Sequence, residues 1–199
     1  HLLRGDVGQS FQFRKPALDV VLERLPFTIT LAVAAIVVTA VLAIPLGIWM
    51  ARRANTAGEL GANIATIAGQ SMPDFWIGFV LLIIFAVNLQ VLPSSGFTSL
   101  SSLILPSATI VILQVALISR LVRREMSTNL AAPYVTIARS RGASESRLTW
   151  RYAFANSAIP VVTALGTRFA AMLNGVVIVE VVFQWPGVGS LVVDALERR

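Results

Sequence analysis

The sequence predicts an all-α polytopic membrane protein, and three observations predict it. The 199 residues are 56% hydrophobic with a mean hydropathy of +0.77, and only 13% are charged, far from the balance of a soluble domain. Several apolar runs exceed the roughly 20 residues that a helix needs to cross the hydrocarbon. Charge is concentrated: Arg120 to Arg151 holds seven arginines against two acids, +5 of a net +6. Arginine clustered beside apolar spans marks the cytoplasmic side of a membrane protein rather than a phosphate-tracking surface. No interleaving of basic and aromatic residues accompanies it, so no nucleic-acid partner is expected. Cysteine is absent and the one histidine, His1, is terminal, which excludes disulfides, a cysteine nucleophile and an imidazole or thiolate metal site.

In chain order, residues 1–25 are mildly polar, with Gly5, Gly8 and Pro16 breaking any long helix and Ala17 to Arg24 forming a short amphipathic one. This is read as an extracytoplasmic surface lead-in, and residues 26–199 as one membrane domain. Phe27 to Met50 carries no charge and is the first span (27–50); Arg52 and Arg53 place its end in the cytoplasm. A second span near 67–92 is interrupted at Ser71-Met72-Pro73-Asp74, where Pro73 implies a kink. Phe75 to Ser119 holds no charge across 45 positions. That length allows two spans joined by the turn-rich segment from Leu92 to Ser99, which is therefore outside. The third span, near 104–122, opens on Leu105-Pro106 and ends before Arg123 and Arg124. Residues 123–157 form a charged loop, and 158–182 a fourth span carrying Arg168, Asn174 and Glu180. After Trp185-Pro186-Gly187 an amphipathic helix begins at Ser190.

The loop is the informative segment. Pro133 suits a helix's first turn, Gly142 a left-handed cap that stops it, and Ser144 the N-cap of a second short helix. Glu145 then meets the positive end of that helix's dipole, Arg147 and Arg151 share one face, and Leu148, Tyr152 and Ala155 form a separate apolar one.

The run Tyr134-Val135-Thr136-Ile137-Ala138-Arg139-Ser140-Arg141-Gly142, with Asn156-Ser157-Ala158-Ile159-Pro160 after it, resembles the cytoplasmic coupling loop of ABC-importer permeases of the dipeptide, oligopeptide and nickel branch. Gly5 to Ser10, Arg24-Leu25-Pro26, Ser71 to Gly78 and Phe183 to Gly189 also resemble its signatures. One departure stands out: the wider importer pattern has Glu-Ala-Ala where this chain has Thr136-Ile137-Ala138. The resemblance implies the type I importer permease fold in the plasma (inner) membrane of a prokaryote. It also implies further spans before and after this stretch, so the sequence reads as cut short at both ends. The loop, through Ala138, Arg139, Arg141, Gly142, Ala143, Ser144 and Glu145, would dock into an ATPase subunit. The implied partners are a second permease subunit, two ABC ATPase subunits that hold ATP and magnesium, and an extracytoplasmic substrate-binding protein contacting Trp185, Pro186 and Gly187. Lipid surrounds the spans.

Polar residues within the spans carry two readings each. Arg168 lies ten residues into its span, about 15 Å deep, where inserting arginine costs roughly 2.5–3.5 kcal/mol. It either lines a pathway toward a substrate carboxylate or pairs with Asp74, Glu180 or a carbonyl. Asp74 is a pathway group or a helix cap, Asn174 a further pathway candidate, and Glu180 a local cap or partner. The chain has no Gly-x-x-x-x-Gly-Lys nucleotide loop, so it is read as a transport subunit, not an enzyme, with no cofactor of its own. The expected function is half of the pathway of an ATP-driven peptide importer. Alternatives are nickel or glutathione import by the same family, an ion-coupled secondary carrier, or a membrane scaffold.

Overall fold

The computed structural model describes residues 15–197, apart from the side chains of Asn174 and Gly175. The described residues are helical, in the order α1 (Ala17–Arg52), α2 (Ala57–Gln70), α3 (Asp74–Leu81), α4 (Ile104–Leu130), α5 (Pro133–Ser140), α6 (Glu145–Arg147), α7 (Ala155–Gly175), α8 (Val177–Val182) and α9 (Val188–Glu197). Wider π-type turns at Leu82–Asn88 and Leu148–Phe154 extend α3 and join α6 to α7. The chain resolves into two compact units. Of the described residues, one comprises 15–35, 74–110 and 171–197; the other comprises 36–73 and 111–170.

Helix α1 corrects the first expectation, because Ala17 to Arg24 is not a separate surface helix but the first turns of one 36-residue helix. Pro26 removes one backbone donor without ending it, and the Thr30 hydroxyl donates to the Pro26 carbonyl at 2.7 Å. Asp19 at the start and Arg52 at the end match the helix dipole. The interruption expected in the second span, at Ser71-Met72-Pro73-Asp74, is present. α2 ends where Ser71 N–H reaches the Ile67 and Ala68 carbonyls, and α3 begins after the break, at Asp74. Pro73 has no donor with which to continue the ladder. Among the described residues, two stretches, Ala17–Arg52 and Leu100–Leu130, are long and apolar enough to cross a membrane, and α2 with α3 makes a third if counted as one span. The fourth apolar run is divided at Val176 between α7 and α8.

In the first unit, Leu31, Ala32 and Ala35 of α1, Ile77 of α3, Leu105 of α4 and Val179 of α8 are buried. In the second, Ala43, Ile48 and Ala51 of α1 pack with Ile118, Val122 and Met126 of α4 and with Ala153 and Val161. α1 approaches α4 so closely there that a Cβ on Gly47 would lie 2.5 Å from the Ser119 carbonyl oxygen. α2 turns its polar side inward: Glu59 is buried and pairs with Arg123 at 2.8 Å, and Gln70 accepts from Arg120. Its apolar residues Leu60, Ile64 and Ile67 are exposed, the inverse of a soluble helix.

Candidate functional site

The connector between α4 and α7 lies wholly in the second unit. α5 begins with Pro133 at its first position. It ends in a Schellman motif: Gly142 N–H donates to the Arg139 carbonyl (3.0 Å) and Ala143 N–H to the Ala138 carbonyl (3.1 Å). Gly142 sits at φ +83°, a conformation that a residue with a Cβ enters only at a cost. Ala143 packs on the small core of Val135, Ala138 and Leu148, the hydrophobic contact that accompanies such caps. Ser144 Oγ then accepts from Arg147 N–H at 3.4 Å and caps α6.

Two side-chain ties hold this turn. Arg139 grips Glu145 with two bonds, Nε to Oε1 at 2.9 Å and Nη2 to Oε2 at 3.3 Å. The guanidinium holds the Glu145 carboxyl below the usual carboxylate range, and the Arg139 pKa is raised in return, chiefly through that same hydrogen bond. Arg139 is thus engaged within the loop, whereas Arg141 and Arg147 line an open cavity of about 370 Å³ with Tyr134, Ile137 and Tyr152. The second tie was not legible in the sequence: Tyr134 OH donates to Asn129 Oδ1 (2.6 Å), and Asn129 Nδ2 donates to Ser157 Oγ (3.0 Å). One amide therefore joins α4, α5 and α7.

The second short helix differs from expectation. α6 does not end but passes through the π-type turn into α7. The wider turn shifts the buried side from Leu148, Tyr152 and Ala155 to Leu148, Thr149, Ala153 and Ser157. Arg147 and Arg151 remain exposed.

In the first unit the Trp185 turn is built around Glu180. That carboxylate is fully buried. Oε1 accepts from the Thr28 hydroxyl at 2.7 Å and Oε2 from Ser190 N–H at 3.0 Å. Thr28 Oγ1 in turn accepts from Val188 N–H at 2.9 Å. A Cβ on Gly187 would lie 2.0 Å from Oε1, so the turn closes over the carboxylate only with glycine there. Trp185 is buried, donates from Nε1 to the Phe27 carbonyl at 3.1 Å, and meets Phe97 edge to face. The expectation that Trp185 and Gly187 face a binding protein is thereby corrected, since both are interior and only Pro186 of the three is partly exposed.

Two of the pathway candidates, Asp74 and Arg168, belong to different units. Asp74 is exposed in the first turn of α3, within the first unit. Arg168 is exposed on α7 in the second unit and has no hydrogen-bond or ion-pair partner among the described residues. The side chain of Asn174 lies outside the described residues.

Helices of membrane-crossing length, an exposed apolar surface and a stapled helix–glycine–helix connector define an integral membrane component with an ordered polar loop. The chain matches the family described as binding-protein-dependent transport system inner membrane component over residues 43–199 and belongs to it. That family is one of inner-membrane permease components of ABC importers. A peptide transport system permease protein of Brucella suis is 33% identical over 207 residues, covering 100% of this chain and 66% of the relative. The dipeptide transport system permease protein DppB of Lactococcus lactis is 32% identical with the same coverage. The glutathione transport system permease protein GsiC of Salmonella typhimurium is 34% identical, covering 100% and 65%. The chain therefore spans just under two thirds of these relatives' length. Among solved structures, an amino acid ABC transporter shares the fold at TM-score 0.64 and 16% identity, covering 92% of this chain and 81% of that one.

Proposed function

We propose that this chain supplies half of the translocation pathway of an ATP-driven peptide importer, and that residues 133–157 transmit the closure of an ATPase subunit to the membrane helices. The carrying observation is the doubly tied connector. Its glycine cap, the Arg139–Glu145 clasp and the Tyr134–Asn129–Ser157 chain make a short rigid lever continuous with α7. A lever must be stiff to convert motion at one end into motion at the other. Ile137, Arg141 and Arg147, lining the open cavity, form the docking face. The ATPase partners bind ATP and magnesium, a second permease subunit completes the pathway, and an extracytoplasmic binding protein delivers substrate. Peptides are favoured because relatives named for peptide and dipeptide transport match over the whole chain. Glutathione is the second reading, on an equally extensive match. Both carry a free carboxylate for the unpaired Arg168.

A cysteine at Ile137 is expected to cross-link to the copurified ATPase subunit, and dipeptide with its binding protein is expected to stimulate ATP hydrolysis by the reconstituted complex. Absence of the cross-link in a complex that still transports removes the docking role. Stimulation by glutathione but not dipeptides selects the second substrate.

A further inference from the structure

The end of α1 carries a pocket that lies apart from the proposed docking face of Ile137, Arg141 and Arg147, although Trp150 in its lining belongs to the connector. It has a volume of about 450 Å³ and is lined by Pro45, Ile48, Trp49, Arg52, Arg53 and Trp150, all within the second unit. The Arg53 guanidinium lies over the Trp49 ring, 5.4 Å from its centroid, and Trp150 is held edge-on by Phe154 at 5.5 Å. Neither Arg52 nor Arg53 has an ion-pair partner among the described residues; Glu145, an acid whose field Arg52 does reach, is already clasped by Arg139. The pocket therefore presents two cations without ion-pair partners among the described residues, in a lining that also holds two indole rings.

Its position selects the ligand. Val38, Val41, Leu42, Pro45, Trp49 and Arg52 recur every three or four residues, so they form one stripe along α1. Val38, Val41, Leu42 and Trp49 are exposed on it. The stripe is apolar for about two turns below the pocket and turns cationic within it. Tryptophan at such a boundary sits at headgroup depth, and paired arginines there attract anionic lipid. We propose that this pocket binds the headgroup of an anionic glycerophospholipid, with Arg52 and Arg53 on the phosphate and the acyl chains along Val38, Val41 and Leu42. A free phosphate would satisfy the arginines but leave the apolar stripe without an occupant.

The test is native mass spectrometry of the intact, copurified transporter released from nanodiscs of mixed phosphatidylglycerol and phosphatidylcholine. The wild type is expected to retain phosphatidylglycerol preferentially. Each arginine facing an anionic headgroup contributes about fivefold in affinity, so the Arg52→Gln, Arg53→Gln double variant is expected to lose roughly 25-fold in that preference. The Arg52→Lys, Arg53→Lys variant keeps most of it. Trp150→Ala weakens retention without changing charge, and carries the test if the glutamine variant does not assemble. Equal retention of the two lipids by the wild type would overturn the proposal. So would a preference unchanged in both the glutamine and Trp150→Ala variants, or displacement of the lipid by millimolar glycerol phosphate, which would mark a free-phosphate site. The readout is independent of uptake, so its failure is separable from failure of the transport reading.

Discussion

Gly142 and the Arg139–Glu145 clasp decide whether the connector is rigid. A β-branched residue at φ +83° costs roughly 1 kcal/mol or more in backbone strain. Gly142→Val is therefore expected to leave the protein in the membrane but to lower substrate-stimulated ATP hydrolysis and uptake together, while Gly142→Asn, which tolerates the left-handed region, loses far less. Normal hydrolysis and uptake in the valine variant would remove the coupling role. The clasp adds a pH dependence. Because Arg139 lowers the Glu145 pKa, the clasp's stabilisation is fully present above the ordinary carboxylate range and is lost as pH falls through the lowered value. Amide exchange at Ala143 and Ser144 is expected to accelerate only on that acid side, beyond its ordinary dependence on pH, and Glu145→Gln to show the accelerated rate throughout. Arg168→Met is expected to weaken uptake of carboxylate-bearing substrates with the protein's abundance unchanged. Loss of the protein from the membrane instead would point to a structural role.

Among the elements, the Glu180 cradle is the firmest packing feature of the first unit. Glu180→Ala would strand the Thr28 hydroxyl and Ser190 N–H, each about 1–3 kcal/mol when buried without a partner. The purified chain in detergent is therefore expected to melt well below wild type. Thr28→Val, which also strips Val188 N–H of its acceptor, should give a smaller drop. Equal melting of all three would leave the cradle without a stabilising role. This feature also marks where sequence reading stopped. Pro133, Gly142 and Ser144 were legible because a helix start, a left-handed cap and an N-cap are local properties of single residues. The partnership of Thr28 with Glu180 spans 152 positions and leaves no periodic trace, so Glu180 read only as a local cap and Trp185 as an exposed contact. The π-type turn at Leu148–Phe154 was invisible for a related reason. Its extra residue per turn is decided by burial of Thr149 and Ala153, and a 3.6-residue period applied to the sequence selects Tyr152 and Ala155 instead. The start of α1 was missed in the opposite sense, since Ala17 to Arg24 read as a short helix of its own and is the beginning of a long membrane one that carries Pro26 inside it.

For the whole molecule, function depends on which side the connector faces, and the charge pattern supplies that orientation. Seven arginines fall between Arg120 and Arg151, and Arg52 and Arg53 follow the first span, against Arg24 immediately before it. A chain inserted with this cluster outside would place seven arginines against the retention bias that orders membrane topology. It would also hide the connector from any ATPase in the cytoplasm. Ser95, in the turn after the π-type segment of α3, and Ser144, at the cap of α6, are both exposed. The chain has no cysteine of its own, so a single substitution at either position gives an unambiguous label. In intact cells an impermeant maleimide is expected to modify Ser95→Cys and to leave Ser144→Cys untouched until the membrane is opened. A reversed pattern would put the arginine cluster outside, and the proposed docking of residues 133–157 on a cytoplasmic ATPase would fall with it, whatever the rigidity of the loop.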